Sequence, residues 1–300
     1  MTDLITPDKG DTTTEPGSKV QVAISALIAM CSWSWLIWTL ISLGNVLSMG
    51  GRLDQTGIVL VASTLTPPTL AATWAGAATG LLLRAWKGPR PLSIPIGGLS
   101  VGILSWVGIF AYFAADPIIA TIIGALLLTC ALIGSLFAVP HHQEKIRAAL
   151  LATAVLMVFM ILRGWLRPKT EQFFSEALDN YQAWATYLPL VAGLVIGIAT
   201  FVYLRLRQRQ TTLYGYVFAA ATPGLIWLIA AIATQVGAEL LVHQLADGLN
   251  PLDQASLHTS GRYEYNGAMT VLFTGTVTAI LAYGLLIPKS SSKTTANSDG

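Results

Sequence analysis

The chain alternates between long apolar runs and short polar stretches. Eight runs stand out, at about 21–48, 57–83, 92–114, 117–139, 148–166, 186–204, 213–240 and 268–287. In lipid a backbone must satisfy its own N–H and C=O groups, so an apolar run of about 20 residues predicts a spanning helix. Barrel strands would instead alternate in runs of about 10 residues. The pattern therefore predicts an all-α integral membrane protein, a bundle of eight transmembrane helices over residues 21–288. Residues 1–20 and 289–300 are polar and read as disordered tails. The first run is too long for a signal-peptide core and is kept as a permanent span.

Two connections are longer than turns. In 168–185, Phe173, Phe174, Ala177, Leu178, Tyr181 and Trp184 share one helical face, which predicts an amphipathic interfacial helix. Residues 241–267 hold Gly, Asn, Pro and Asp and read as a loop.

Composition narrows the picture. Of 300 residues, 54% are hydrophobic and 11% charged, against about 25% charged in soluble domains. A soluble enzyme, a disordered chain and a disulfide scaffold are excluded. A net charge of +2 supplies no nucleic-acid footprint. Cys31 and Cys130 lie within apolar runs and read as buried free thiols. Eight spans place twelve Lys and Arg, among them Arg84, Lys145, Arg147 and Arg205, on one side and five on the other. The positive-inside rule then puts both termini in the cytoplasm of a plasma membrane. The outward loops hold no N-glycosylation sequon, which fits a bacterial source.

Within the spans, the second run carries Thr64, Thr66, Pro67, Pro68 and Thr69, and the seventh carries Thr222, Pro223 and Gly224. Proline removes a helix donor and clashes one turn back. The pair suggests kinked or broken helices around a substrate site. Gly76 and Gly80 form a GxxxG pair, and Thr270, Thr274 and Thr278 recur every four residues. Both patterns suit close helix packing, within the chain or against a membrane-protein partner. Trp33, Trp35 and Trp38 crowd the first span, as packing or as a stacking surface. A shift of 121 positions superposes Pro68 on Pro189, Gly76 on Gly197 and Ala78-Thr79 on Ala199-Thr200, which suggests a weak 4+4 internal repeat.

No ionisable residue falls near the centre of any predicted span; Arg163 and Glu239 sit near outer ends. Such groups mark proton and ion relays, so a coupled pump is disfavoured. His243, Asp247, Asp253, His258 and Glu264 match no metal-ligand spacing. No nucleotide loop or catalytic motif is present, and neither catalytic residues nor a cofactor is indicated. Three functions remain, in order: a non-catalytic membrane component packed with a partner complex, a permease for an apolar or amphipathic substrate, and an outer-leaflet lipid-modifying enzyme. The lipid bilayer is the one partner that composition itself implies.

Overall fold

The computed structural model describes residues 16–48, 55–87, 93–112, 116–139, 143–173, 178–207, 212–244 and 249–286. The described residues are helical, with no strand among them. The elements are α1 (Pro16–Ser48), α2 (Gln55–Ser63), α3 (Thr66–Lys87), α4 (Ser93–Tyr112), α5 (Pro117–Leu136), α6 (Gln143–Phe173), α7 (Leu178–Arg207), α8 (Leu213–Val242) and α9 (Pro251–Leu286). Seven of these are long and apolar enough to cross a membrane, or eight when α2 and α3, bent by 41° at the break between them, count as one span. The protein is an all-α membrane bundle.

Two boundaries differ from the sequence expectation. Helix α1 begins at Pro16, inside the expected tail. Helix α9 runs 36 residues from Pro251, across most of the expected 241–267 loop. The reason lies in Asn250. Its Oδ1 accepts the Asp253 backbone N–H at 2.8 Å, and its Nδ2 donates to Asp253 Oδ2 at 2.7 Å. With Pro251 at the first helical position, Asn-Pro-Leu-Asp is a helix cap; the same residues in isolation read as a turn.

The tails 1–15 and 289–300, His141, His142 and Asp247 lie outside the described residues. So do the side chains of 163–186, and with them the amphipathic face expected over 168–185 and any pairing of Arg163 with Glu239.

Helices α3 and α8 form the centre of the bundle. Ala71, Ala72, Ala75, Ala77 and Ala78 of α3 are fully buried. Small side chains let backbones approach, and in lipid close van der Waals contact drives helix association. A Cβ on Gly76 would strike the Ala131 backbone of α5, and one on Gly134 would strike that of Thr73. Gly193 and Gly197 of α7 meet Thr274, Gly275 and Thr278 of α9 in the same manner. Gly76 and Gly197, which the 121-residue shift pairs, thus each bring the second span of a half against its fourth. The outer faces carry Leu27, Met30, Ile103, Val107, Ile198 and Phe273, all exposed apolar side chains suited to acyl chains.

One end of the bundle is basic. Arg84 at the end of α3 donates to the carbonyls of Ala138 at 2.7 Å and Val139 at 3.0 Å, capping α5. Arg147 in the first turns of α6 is fully buried. It pairs with Glu144 at 2.6 Å and donates to Ser25 of α1 at 3.1 Å. Tyr203 of α7 donates to the other Glu144 oxygen at 3.4 Å. These bonds gather the start of α1 and α6 and the end of α3, α5 and α7 at one level.

Candidate functional site

The site forms where the second span breaks. Pro67 and Pro68 lack N–H groups, so the carbonyls of Ser63 and Thr64 lose their helical donors. Helix α2 therefore stops at Ser63 and α3 restarts at Thr66, which places both prolines in a first turn, where missing amides are tolerated. Side chains take over part of the bonding: Thr64 Oγ1 donates to Leu60 and Val61 carbonyls at 3.0 Å. Thr69 N bonds Leu65 O at 3.1 Å, where regular helix resumes.

The break faces the other half of the chain. Thr69 Oγ1 meets Thr234 Oγ1 of α8 at 3.1 Å and Ala230 O at 3.5 Å, all in the buried interior. Above this contact a cleft of about 830 Å³ opens between the break and the first turns of α9. Ser63 and Thr64 form one wall. Ser256, Thr259, Ser260 and Tyr263 of α9 form the other, with Asp253 near the mouth and Glu264 at the base. Their spacing puts one polar stripe along α9. Toward the bundle centre the space shrinks to about 10 Å³ between Thr66, Thr234, Gln235, Gly261 and Glu264. That is about the room one water needs. Below it, Leu70, Trp74, Ile226 and Trp227 belong to a continuous apolar cluster that seals the interface.

Glu264 lies on helix α9 rather than in the expected loop. Its Oε2 accepts Trp227 Nε1–H at 2.8 Å. Trp227 is 2% exposed and lies midway along α8. Counting back from Leu286, Glu264 sits about 33 Å up α9 at 1.5 Å per residue, close to the thickness of a hydrocarbon core. That distance puts Glu264 toward the opposite face of the core rather than at its centre. Gly267 makes the contact feasible, because a Cβ there would press on the Trp227 ring at 2.7 Å. Gly261 does the same for Gln235, whose side-chain amide fills the place of the missing Cβ.

The remaining candidates fall elsewhere. Thr66, Pro68 and Thr69 are buried at the break, and Pro67 is exposed beside it. Thr222, Pro223 and Gly224 do not join them. Helix α8 stays continuous through Pro223. Thr222 Oγ1 donates to Phe218 O at 2.7 Å, and Gly224 lets the Leu272 backbone of α9 approach. The expected pair of broken helices is one broken helix and one packed crossing. Gly76, Gly80, Thr274 and Thr278 all meet neighbours within this chain; Thr270 bonds back to Asn266 O at 2.8 Å. Trp33 Nε1 donates to Thr79 Oγ1 at 3.0 Å, and Trp35 packs on Trp38 with ring centroids 5.0 Å apart. Cys31 is exposed and Cys130 buried. His243 Nδ1 sits 3.1 Å from Glu239 O, and neither it nor His258 lines the cleft. Among the described residues no group of three His, Cys, Asp or Glu could hold a metal ion.

Sequence reasoning named the break and missed the opposing wall. The signal was present in Ser256, Thr259, Ser260, Tyr263 and Glu264, a helical polar stripe. Gln235 and Trp227 give no such signal, because their relevance depends on α9 lying beside them.

No protein-family model matches the chain, and no curated protein or solved structure matches it.

Proposed function

We propose that this protein is a plasma-membrane permease for a small amphipathic substrate, with both termini in the cytoplasm of a bacterial cell. The observation that carries this reading is the polar cleft between the two halves at a broken span. Discontinuous helices at a repeat interface are how many transport folds expose backbone carbonyls to a substrate. The cleft opens at one end and is closed toward the centre by a slot and an apolar seal. That arrangement suits one state of an alternating-access cycle. Its volume lies within the range of small-molecule sites, roughly 300–1,000 Å³. Among the described residues Glu264 is the one ionisable side chain lining the slot, so the chain of ionisable groups that a proton relay needs is not what supports this reading.

The partner-complex reading draws less from the geometry. The small-residue seams through Gly76, Gly80, Thr274 and Thr278 are occupied by the chain's own helices. The lipid-enzyme reading drew on a polar loop at 241–267, and from Pro251 onward that segment is helix α9.

The test is cysteine accessibility in sealed vesicles, with Cys31 and Cys130 replaced. Thr66→Cys is expected to react with a membrane-impermeant thiol reagent from the cleft side. Ala78→Cys, within the apolar seal, is expected to react from the opposite side when the seal opens. Labelling at 66 with a cysteine at 78 sealed from both sides would sink the permease reading.

A further inference from the structure

We infer that the bond from Arg147 to Ser25 is a latch: it closes the basic end of the bundle while the cleft at the other end stands open, and it releases when the two halves move. The inference rests on the permease reading and adds the device that holds its closed side shut. The first half of the chain runs from α1 to α5 and the second from α6 to α9. Side-chain hydrogen bonds cross between the halves at Thr69–Thr234, below the break, and at Arg147–Ser25, in the basic end. Thr66 at the break and Arg84 at the basic end stand about 27 Å apart along α3, at 1.5 Å per residue. Cleft and latch are therefore at opposite ends of one interface.

The arrangement is suited to breaking and re-forming. Arg147 and Ser25 are both fully buried. The guanidinium divides its donors: Nη1 to Glu144 at 2.6 Å, Nη2 to Gln143 at 3.1 Å and Nε to Ser25 Oγ at 3.1 Å. Glu144 and Gln143 stand on α6 with Arg147, so the ion pair travels with its own helix. Of these three bonds, parting α6 from α1 breaks the one to Ser25. The charge keeps its partner, and the large penalty of an uncompensated buried charge does not arise. Ser25 is prepared for the same role. Its hydroxyl donates to Gln21 O within α1 at 2.9 Å, which leaves its lone pairs for the guanidinium. Each half thus keeps its internal bonds when the latch opens, and water replaces the lost one. Tyr203 of α7 donates to Glu144 and so ties the carboxylate to the second half. Beside the latch and one turn deeper, Ile28 and Ala29 of α1 and Ile146 and Leu150 of α6 belong to one apolar cluster. The basic end is shut by a polar layer over an apolar one.

The experiment uses the full chain in sealed vesicles, with Cys31 and Cys130 replaced and one reporter cysteine at a time. Ala29→Cys lies on α1 one turn below Ser25, at a buried position, and Thr66→Cys lies at the break. The rate of reaction with a membrane-impermeant maleimide is read from the basic side for position 29 and from the cleft side for position 66. Ser25→Ala removes the crossing bond and leaves Arg147 with Glu144 and Gln143. By shifting the balance between the two states, it is expected to speed labelling at 29 by about fivefold or more and to slow labelling at 66 by about twofold. Ser25→Thr, which keeps the hydroxyl, is expected to hold both rates close to those of the parent. A bond that only adds stability would leave the rate at 66 unmoved. Unchanged rates in Ser25→Ala, or a rise at 29 without the fall at 66, would overturn the latch. Either of those results with Ala78→Cys still reacting from the basic side leaves the permease standing. A cysteine at 78 sealed from both sides, in the parent and in Ser25→Ala alike, removes the permease and the latch with it.

Discussion

The indole N–H of Trp227 donates to the Glu264 carboxylate at 2.8 Å, joining the middle of α8 to α9. This bond holds Glu264, which lines both the slot and the cleft, in place. Hydrogen bonds to charged groups contribute about 1.5–3 kcal/mol. Trp227→Phe is therefore expected to lower stability by about 2 kcal/mol or more, since it also disturbs a buried ring. Glu264→Gln keeps an acceptor and is expected to cost less. A double-mutant cycle by thermal unfolding in detergent isolates the pair. A coupling near zero would show that the two side chains do not act together.

Removing the prolines is expected to heal the break. Pro67→Ala with Pro68→Ala restores donors for the carbonyls of Ser63 and Thr64, and helix propensity rises by about 3 kcal/mol per exchange. The variant is expected to accumulate normally and to slow transport about tenfold. Hydrogen exchange at residues 63–69 should fall in parallel. Wild-type transport with a straightened span would separate the break from function.

Glycine exchanges are expected to divide by what their Cβ meets. Gly76→Ala places a carbon against the Ala131 backbone, and Gly134→Ala against that of Thr73, where nothing flexible can give way. Overpacking of this kind costs typically 1–3 kcal/mol. Gly284→Ala meets nothing within 4 Å and is expected to be neutral or slightly stabilising. Melting temperatures of the three variants in one detergent check the contrast.

The basic end makes a separate prediction. Arg147 is buried with Glu144 and Ser25. Breaking a buried pair by removing one partner leaves a charge behind and costs about 3–5 kcal/mol. Arg147→Met is expected to lose about that much, and Glu144→Gln added to it is expected to recover part of the loss. Equal stability of the single and double variants would show that Glu144 does not feel the lost guanidinium.

The bundle was legible because lipid imposes a hard rule: a run of about 20 apolar residues has few alternatives to a helix. The break was legible at Pro67 and Pro68, because a missing N–H is a local property. Other features were not. Asn250-Pro251-Leu252-Asp253 carries the same residue types as a turn, and becomes a cap only once the helix behind it forms. Glu264 read as a loop residue because its place depends on that longer helix and on Trp227, 37 residues away. The glycine seams were recognisable as seams, but spacing does not state whether the facing helix belongs to the same chain. Pro223 shows the converse: a local kink signal that neighbouring contacts with Thr222 and Leu272 absorb.

The central claim is that the two halves move about the cleft. Spin labels at Ser63→Cys and Ser256→Cys, on opposite walls of the cleft and both exposed, report this directly. Double electron–electron resonance on the cysteine-replaced protein in nanodiscs is expected to give two distance populations. A single narrow distance would contradict the account, leaving a static groove in a structural membrane component.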